Sequence, residues 1–325
     1  MRKEDTVRRG ALVADIGGTN ARFALADLAT LDLSHICRIR CAAEPNFAAA
    51  LSAYLASLPL SPVCVAIAVA APVLGEEVHL TNSTWSFTKR ELRRITGLDE
   101  LLVLNDFEAL AHALPYLSPS DLRQIGGGEP EPQAPKLVLG PGTGLGVAGL
   151  VWSGNGWIAV AGEGGHVSLG AKDERELALL ERLRQGRAHL SAERVLSGPG
   201  LANLYRAIAA SRGESRDELE PDDILVRGLD GEDDLAVEAL DFFLACLGSF
   251  AGDATLLFGA RGGVYLGGGI APKILPLLAR GSFRESFAGK GRMTAYLETI
   301  PVFVILAELA TLKGAAEAIR TRQRA

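Results

Sequence analysis

Several stretches of the chain combine residue types suited to phosphate and hydroxyl chemistry. Leu12 to Asp27, LVADIGGTNARFALAD, is an apolar run ending in an acid, a turn of small residues, and a second apolar run ending in another acid. Two strands joined by Gly17, Gly18, Thr19 and Asn20 make a hairpin whose backbone can approach a ligand, because glycine carries no Cβ and takes positive φ readily. Successive N–H groups in such a turn form a concavity for phosphate oxygens, and Thr19 and Asn20 add side-chain donors. Asp15 stands at its mouth. A carboxylate beside polyphosphate is repelled unless a cation lies between them, which points to Mg2+ held directly or through water. Taken alone the stretch also reads as an ordinary hairpin, and its spacing fits neither the Walker loop nor GxGxxG.

Lys136 to Trp152, KLVLGPGTGLGVAGLVW, repeats the design with Gly142, Thr143 and Gly144 in the turn. Two such hairpins suggest two lobes related by duplication and facing each other across a cleft. A third glycine run, Gly267 to Gly269, follows an apolar strand, and Ile270, Ala271 and Pro272 after it are expected to open a helix whose N-terminus suits a phosphate or a flat ring. In LLVLNDFEALAHAL a strand runs straight into Asn105 and Asp106 before a helix begins. Ligands of open α/β sheets bind beyond the carboxyl ends of strands. Asp106 therefore reads as the base that accepts a hydroxyl proton in phosphoryl transfer, with Asn105 positioning the acceptor. The plain alternative is a helix cap. Glu163 and His166, in EGGH, are presented by a loop and suit a polyhydroxyl ligand. A structural turn is the alternative there, and metal binding lacks a second ligand at the right spacing. Glu193, just before the turn SGPG, reads alone as a solvated charge.

These residues need a framework. At 325 residues the chain exceeds the usual single core, so two domains are expected. Hydrophobic residues make up 48% and the net charge is −6, which describes a globular chain without the basic stripe that nucleic acid requires. A small molecule is the default ligand. The first ten residues are charged and no apolar run free of charges or breakers reaches about 18 residues, so neither a signal peptide nor a membrane span is expected. Cys37, Cys41, Cys64 and Cys246 lack paired spacing, which argues against zinc or a disulfide framework and fits a reducing cytoplasm. Strands are read at His35 to Cys41, Val63 to Ala70, Trp157 to Ala161, Gly263 to Gly269 and Pro301 to Ala307. Helices follow Asn46 and Thr88 as caps, cover 173–183 and 235–258, start again after Ser197, and close the chain from Glu308 to Ile319. Val63 to Ala70, continuously apolar, reads as a strand buried on both faces. Gly126 to Pro135 reads as an exposed loop.

Together LVADIGGTNARFALAD, LNDFEALAHALP, LGPGTGLGVAGLVW, GEGGHVSL, ERVLSGPGLANLYRA and YLGGGIAPKIL resemble bacterial glucokinases of the proteobacterial type, within the actin-like, ribonuclease-H-like kinases. The resemblance runs from about residue 11 to the C-terminus, in order. It implies a two-lobed α/β fold, each lobe a mixed central sheet flanked by helices, with the ligand cleft between. Residues 1–114 with 303–325 would form the small domain and 115–302 the large one. It implies ATP-dependent phosphorylation of glucose at the 6-hydroxyl, in the cytoplasm, by a homodimer that engages neither nucleic acid nor membrane. Carried over by position, Asp106 is the general base, and Asn82, Asn105, Asp106, Glu163, His166 and Glu193 bind the sugar. Ala14, Asp15, Ile16, Gly17, Gly18 and Thr19 take phosphate and, through Asp15 and water, Mg2+. Gly142, Thr143 and Gly144 take the other phosphate side, and Gly267, Gly268 and Gly269 the adenosine. Ala14 departs from the glycine that often precedes the acid in the family. A kinase for another hexose or an amino sugar fits the same residues. A sugar-responsive repressor would need a DNA-binding segment before the first hairpin, and an ATPase without a sugar substrate would leave Asn105, Glu163, His166 and Glu193 idle.

Overall fold

The computed structural model describes residues 10–80 and 85–324. The chain divides into two units, one running through Ser118 and taking in Trp157–Ala161 and the segment from Ala307, the other made of Pro119–Gly156 and Gly162–Leu306.

The first unit is built on β1 (Gly10–Ile16), β2 (Asn20–Asp27), β3 (Leu33–Arg40), β4 (Cys64–Val69) and, after a small two-stranded sheet of β5 (Glu77–His79) and β6 (Ser86–Thr88), β7 (Leu101–Asn105). Their order is β3-β2-β1-β4-β7, antiparallel from β3 to β1 and parallel from β1 to β7. Successive side chains of a strand point to opposite faces, and here the two faces differ in size. Leu12, Ile16, Val65, Ile67 and Val69 meet Phe47, Leu51 and Tyr54 of the helix Phe47–Ser57 on one face. Ala11, Val13, Cys64, Ala66 and Ala68 meet Ala109 and the helix Ala310–Arg324 on the other. The caps follow their local chemistry: the Asn46 side chain accepts from the Ala49 N–H, and Thr88 from the Glu91 N–H ahead of the helix Lys89–Thr96.

In the second unit β8 (Leu122–Gly126), β9 (Lys136–Pro141) and β10 (Leu145–Trp152) come first. β11 (Trp157–Gly162), whose residues through Ala161 are grouped with the first unit, and a run of helices precede β12 (Val264–Leu266) and β13 (Val302–Ile305). The hairpin β10-β9 continues into the parallel strands β12 and β13, as β2-β1 continues into β4 and β7, and β8 pairs antiparallel with β13 at the edge. The helix Asp234–Phe258 is long and apolar enough by composition to cross a membrane. Phe242, Phe243, Leu247 and Phe250 bury it instead in this unit's core. Gly248 lets the helix Ser282–Ala288 lie against it, since a Cβ there would fall 2.0 Å from the Phe283 carbonyl oxygen.

One strand is new and two expectations are corrected. β8 lies before the loop Gly126 to Pro135 and was not legible, because of its five residues only Ile125 is buried. The last strand pairs with β12 and β8 in the second unit, so the return to the first unit comes at Ala307 and not at 303. Its buried residues Val302, Val304 and Ile305 complete the second core. No helix opens at Ile270: residues 270–274 are turns, and helix appears only at Leu275–Leu278. Pro276 has no N–H to return to the Pro272 carbonyl, so a helix begun at 270 cannot run through it.

Candidate active site

In the first unit the register aligns Ile16 with Val69 and Val69 with Asn105. The turn after β1 and the helix after β7 therefore leave the same edge of the sheet, two strand spacings or roughly 10 Å apart. Gly17 N–H donates to the Asn20 carbonyl and closes the turn, and Cys41 N–H donates to the Thr19 carbonyl. Neither Gly17 nor Gly18 adopts positive φ, contrary to expectation. Four residues separate Ile16 from its partner Ala21, and a loop of that length does not need the mirror-image dihedrals of a two-residue turn. Ala14 and Ile16 are fully buried in the core, which leaves only their backbone to face a ligand.

Asp15 is buried, and Arg22, directly opposite on β2, donates to its Oδ2 at 2.8 Å. Burial pushes the carboxyl pKa up while the guanidinium beside it pulls it down, with burial the larger effect. Arg22 was missed, although counting outward from the turn puts it opposite Asp15. A carboxyl whose folded pKa lies above its unfolded value weakens the fold at neutral pH, and that cost fades as pH falls through the folded pKa. Arg22→Gln is expected to destabilise the protein by about 1–3 kcal/mol at neutral pH, with the loss shrinking towards acid. Urea unfolding at two pH values checks this.

Asn105 ends β7 and caps the helix Asp106–Ala113: its Oδ1 accepts from the Phe107 and Glu108 N–H groups, and its Nδ2 donates to the Ala71 carbonyl at 3.4 Å. Asp106 is the first helical residue, half-buried, with Oδ1 accepting from the Phe107 N–H at 2.9 Å. Of the two residues that could cap, Asn105 does so. Asn82 lies outside the described residues.

In the second unit the glycine turns abut. β9 and β12 are parallel neighbours, and a Cβ on Gly140 would sit 2.0 Å from the Gly267 carbonyl oxygen. Gly268, at φ +79°, passes so close to Pro141 that only glycine fits. Thr143 is exposed beside them, and Gly142 N–H donates to the Gly144 carbonyl. Gly269 has open space around it. The same turn meets Glu193. Leu145 N–H donates to Glu193 Oε2 at 2.9 Å, and a Cβ on Gly144 would fall 2.5 Å from that oxygen. Glu193, far from a solvated charge, is half-buried in the single-turn segment Ala192–Arg194. Its carbonyl accepts from Ser197 Oγ, which also caps the helix Gly198–Ser211.

EGGH owes its glycines to packing: a Cβ on Gly165 would strike the Leu145 carbonyl at 2.2 Å, and one on Gly164 would crowd Val147. This seats the turn Gly164–His166 on β10, with Glu163 and His166 more than half exposed and His166 Nε2 4.0 Å from Glu163 Oε2. The bridge Ser168–Ser191 and the bond from Ala192 N–H to the Val167 carbonyl tie this turn to the segment holding Glu193. Glu163, His166, Glu193 and the turn at 142–144 thus share one neighbourhood.

One carboxylate, with water and substrate phosphate completing the shell, is a common way to hold Mg2+. Asp15 fits that role, since Arg22 engages only one of its oxygens in the bond described. Among the described residues no group of three or more His, Cys, Asp or Glu forms a metal cluster of its own. All four cysteines are free thiols.

Comparison with known proteins places these elements. The glucokinase family model matches residues 12–322. A curated glucokinase from Chromobacterium violaceum is 46% identical over 306 residues, covering 94% of this chain and 88% of that one. The crystal structure of a glucokinase from an Antarctic psychrotroph superposes with a TM-score of 0.84 at 38% identity, covering 96% and 99% of the two chains. A ROK-family glucokinase from Streptomyces griseus, solved with glucose and AMPPNP, shares the fold at a TM-score of 0.68 and 22% identity, covering 96% and 99%. Mixed sheets flanked by helices, with glycine turns at the strand ends, are the architecture of sugar kinases of the actin-like ATPase fold. The chain belongs to the glucokinase family.

Proposed function

We infer that the chain transfers the γ-phosphoryl group of ATP to the 6-hydroxyl of D-glucose, giving glucose 6-phosphate and ADP. The family match along nearly the whole chain carries this reading. The hydroxyl oxygen forms a bond to the γ-phosphorus, the bond to the β–γ bridging oxygen breaks, and the hydroxyl proton passes to the Asp106 carboxylate. Phosphoryl transfer asks mainly for alignment and charge stabilisation. Asn105, Glu163, His166 and Glu193 hold the sugar, with Asn82 a further candidate. The backbone of Ala14 to Thr19 and the turn Gly142 to Gly144 hold phosphate, and Gly267 to Gly269 leave bare backbone for the adenosine. Asp15, through water, would hold Mg2+, which would offset charge on the transferring group. Following the family, the enzyme acts in the cytoplasm as a homodimer; the free thiols fit a reducing compartment.

The testing experiment is ADP release from ATP and Mg2+ with glucose, mannose, fructose, N-acetylglucosamine or no sugar. Release confined to glucose supports the reading, and equal release without sugar overturns it. Gly144→Ala tests Glu193, with KM for ATP measured beside KM for glucose because Gly144 also lies in the phosphate turn. The new methyl displaces only the end of a flexible side chain, so the fold should survive. Glu193 would lose its hold on Leu145 N–H, a charge-assisted bond, and KM for glucose is expected to rise by about ten- to a hundredfold with Tm little changed. Unchanged glucose kinetics would remove Glu193 from the sugar set.

A further inference from the structure

Apart from the residues discussed so far, the second unit contains a cavity of about 240 Å³ between the end of the helix Glu174–Arg184, the loop after it and one side of the helix Gly198–Ser211. Four guanidinium-bearing residues line it, Arg182, Arg187, Arg194 and Arg206, together with Asn203, and no carboxylate stands in its wall. That concentration of positive charge occurs in a chain whose net charge is −6. Only part of it is matched nearby. Arg206 bonds Asn203 Oδ1 at 2.7 Å and the exposed Glu218 at 3.2 Å, and Arg187 donates to the Leu183 carbonyl. The guanidinium groups of Arg182 and Arg194 have neither ion pair nor hydrogen bond with any described residue. Like charges gathered around one concavity repel, and a bound anion relieves that repulsion. The planar fork of arginine matches phosphate oxygens two at a time. Leu190 and Ala207 supply an apolar floor. The volume is below the range usual for drug-sized ligands, so the occupant is small.

We propose that this cavity is an anion site for a small phosphorylated metabolite, with phosphate on Arg182 and Arg194 and the carbon part against Leu190 and Ala207. This site is separate from the reading of catalysis given above and does not rest on it.

Inorganic pyrophosphate, titrated calorimetrically into the full-length protein without divalent metal, is the probe. The Arg182→Gln/Arg194→Gln double variant keeps every glycine turn, so pyrophosphate bound at those turns is common to both proteins and the difference reports this cavity. The expected result is a saturable site that added salt weakens and the double variant weakens by at least about tenfold, with Tm unchanged. Asn203→Asp, which puts a carboxylate in the wall, should act in the same direction. Equal affinity in wild type and double variant, or no binding by the wild type, overturns the proposal. So does a change in protomer number in the double variant, since the arginines would then serve an interface between copies. Loss of glucose-dependent ADP release with arginine-dependent pyrophosphate binding intact would overturn the catalytic reading and leave this one standing.

Discussion

Asp106→Asn is expected to lower kcat by about 10²–10⁴-fold while glucose affinity stays within about tenfold, the signature of a lost proton acceptor. The substitution is chosen because the structure separates the residue's two possible jobs. Asn105 caps the helix, so removing the Asp106 charge leaves the bonds to Phe107 and Glu108 N–H in place. The amide oxygen of Asn can still accept from Phe107 N–H as Asp106 Oδ1 does. What goes is the negative charge in the first helical turn, worth about 0.3–1 kcal/mol to the fold, and the capacity to take a proton. ADP release at saturating glucose, paired with direct titration of glucose binding, checks the split. Turnover close to wild type would remove Asp106 from the role of base.

Gly314→Ala is expected to be the most damaging single-methyl change in the first unit. The helix Ala310–Arg324 lies so close to the helix Asp106–Ala113 that a Cβ on Gly314 would fall 1.7 Å from the Ala109 carbonyl oxygen and 3.1 Å from the Ala113 nitrogen. Both obstacles are backbone, so no side-chain rotation relieves them. The helices must part, and the buried neighbours Ala315 and Ala316 must repack. The cost is about 3 kcal/mol or more, lowering the Tm of this unit by about 6–12 °C. Because the displaced helix begins at Asp106, turnover should fall as well, even at temperatures where the variant is folded. Calorimetry together with ADP release checks both, and an unchanged Tm would mean that the helices tolerate a wider spacing.

The residues that do local work were legible in the chain. Asn46, Thr88 and Ser197 cap helices because a short polar side chain before an apolar periodic segment satisfies the first N–H groups, whatever lies elsewhere. Val63 to Ala70 reads as a doubly covered strand because its apolar run is continuous, and β4 is buried along its length. The glycine turns after β1 and β9 also show in the sequence, as small residues between two apolar runs.

Local residue patterns specify most of the longer strands and helices, their caps and the glycine turns, all governed by neighbours a few residues away. Which groups meet is set by the folded chain. Leu145 N–H and the Glu193 carboxylate are 48 residues apart along the chain, and nothing near Glu193 distinguishes it from a solvated charge. Gly140 is a glycine because parallel pairing of β9 with β12 brings the Gly267 backbone against it, a constraint invisible to either segment alone. β8 carries too few apolar residues to announce itself, and β13 joins the second sheet because β12 and β8 take up the backbone hydrogen bonds of its two edges. These contacts depend on long-range pairing, whose energy comes from surfaces that only the folded chain presents to each other.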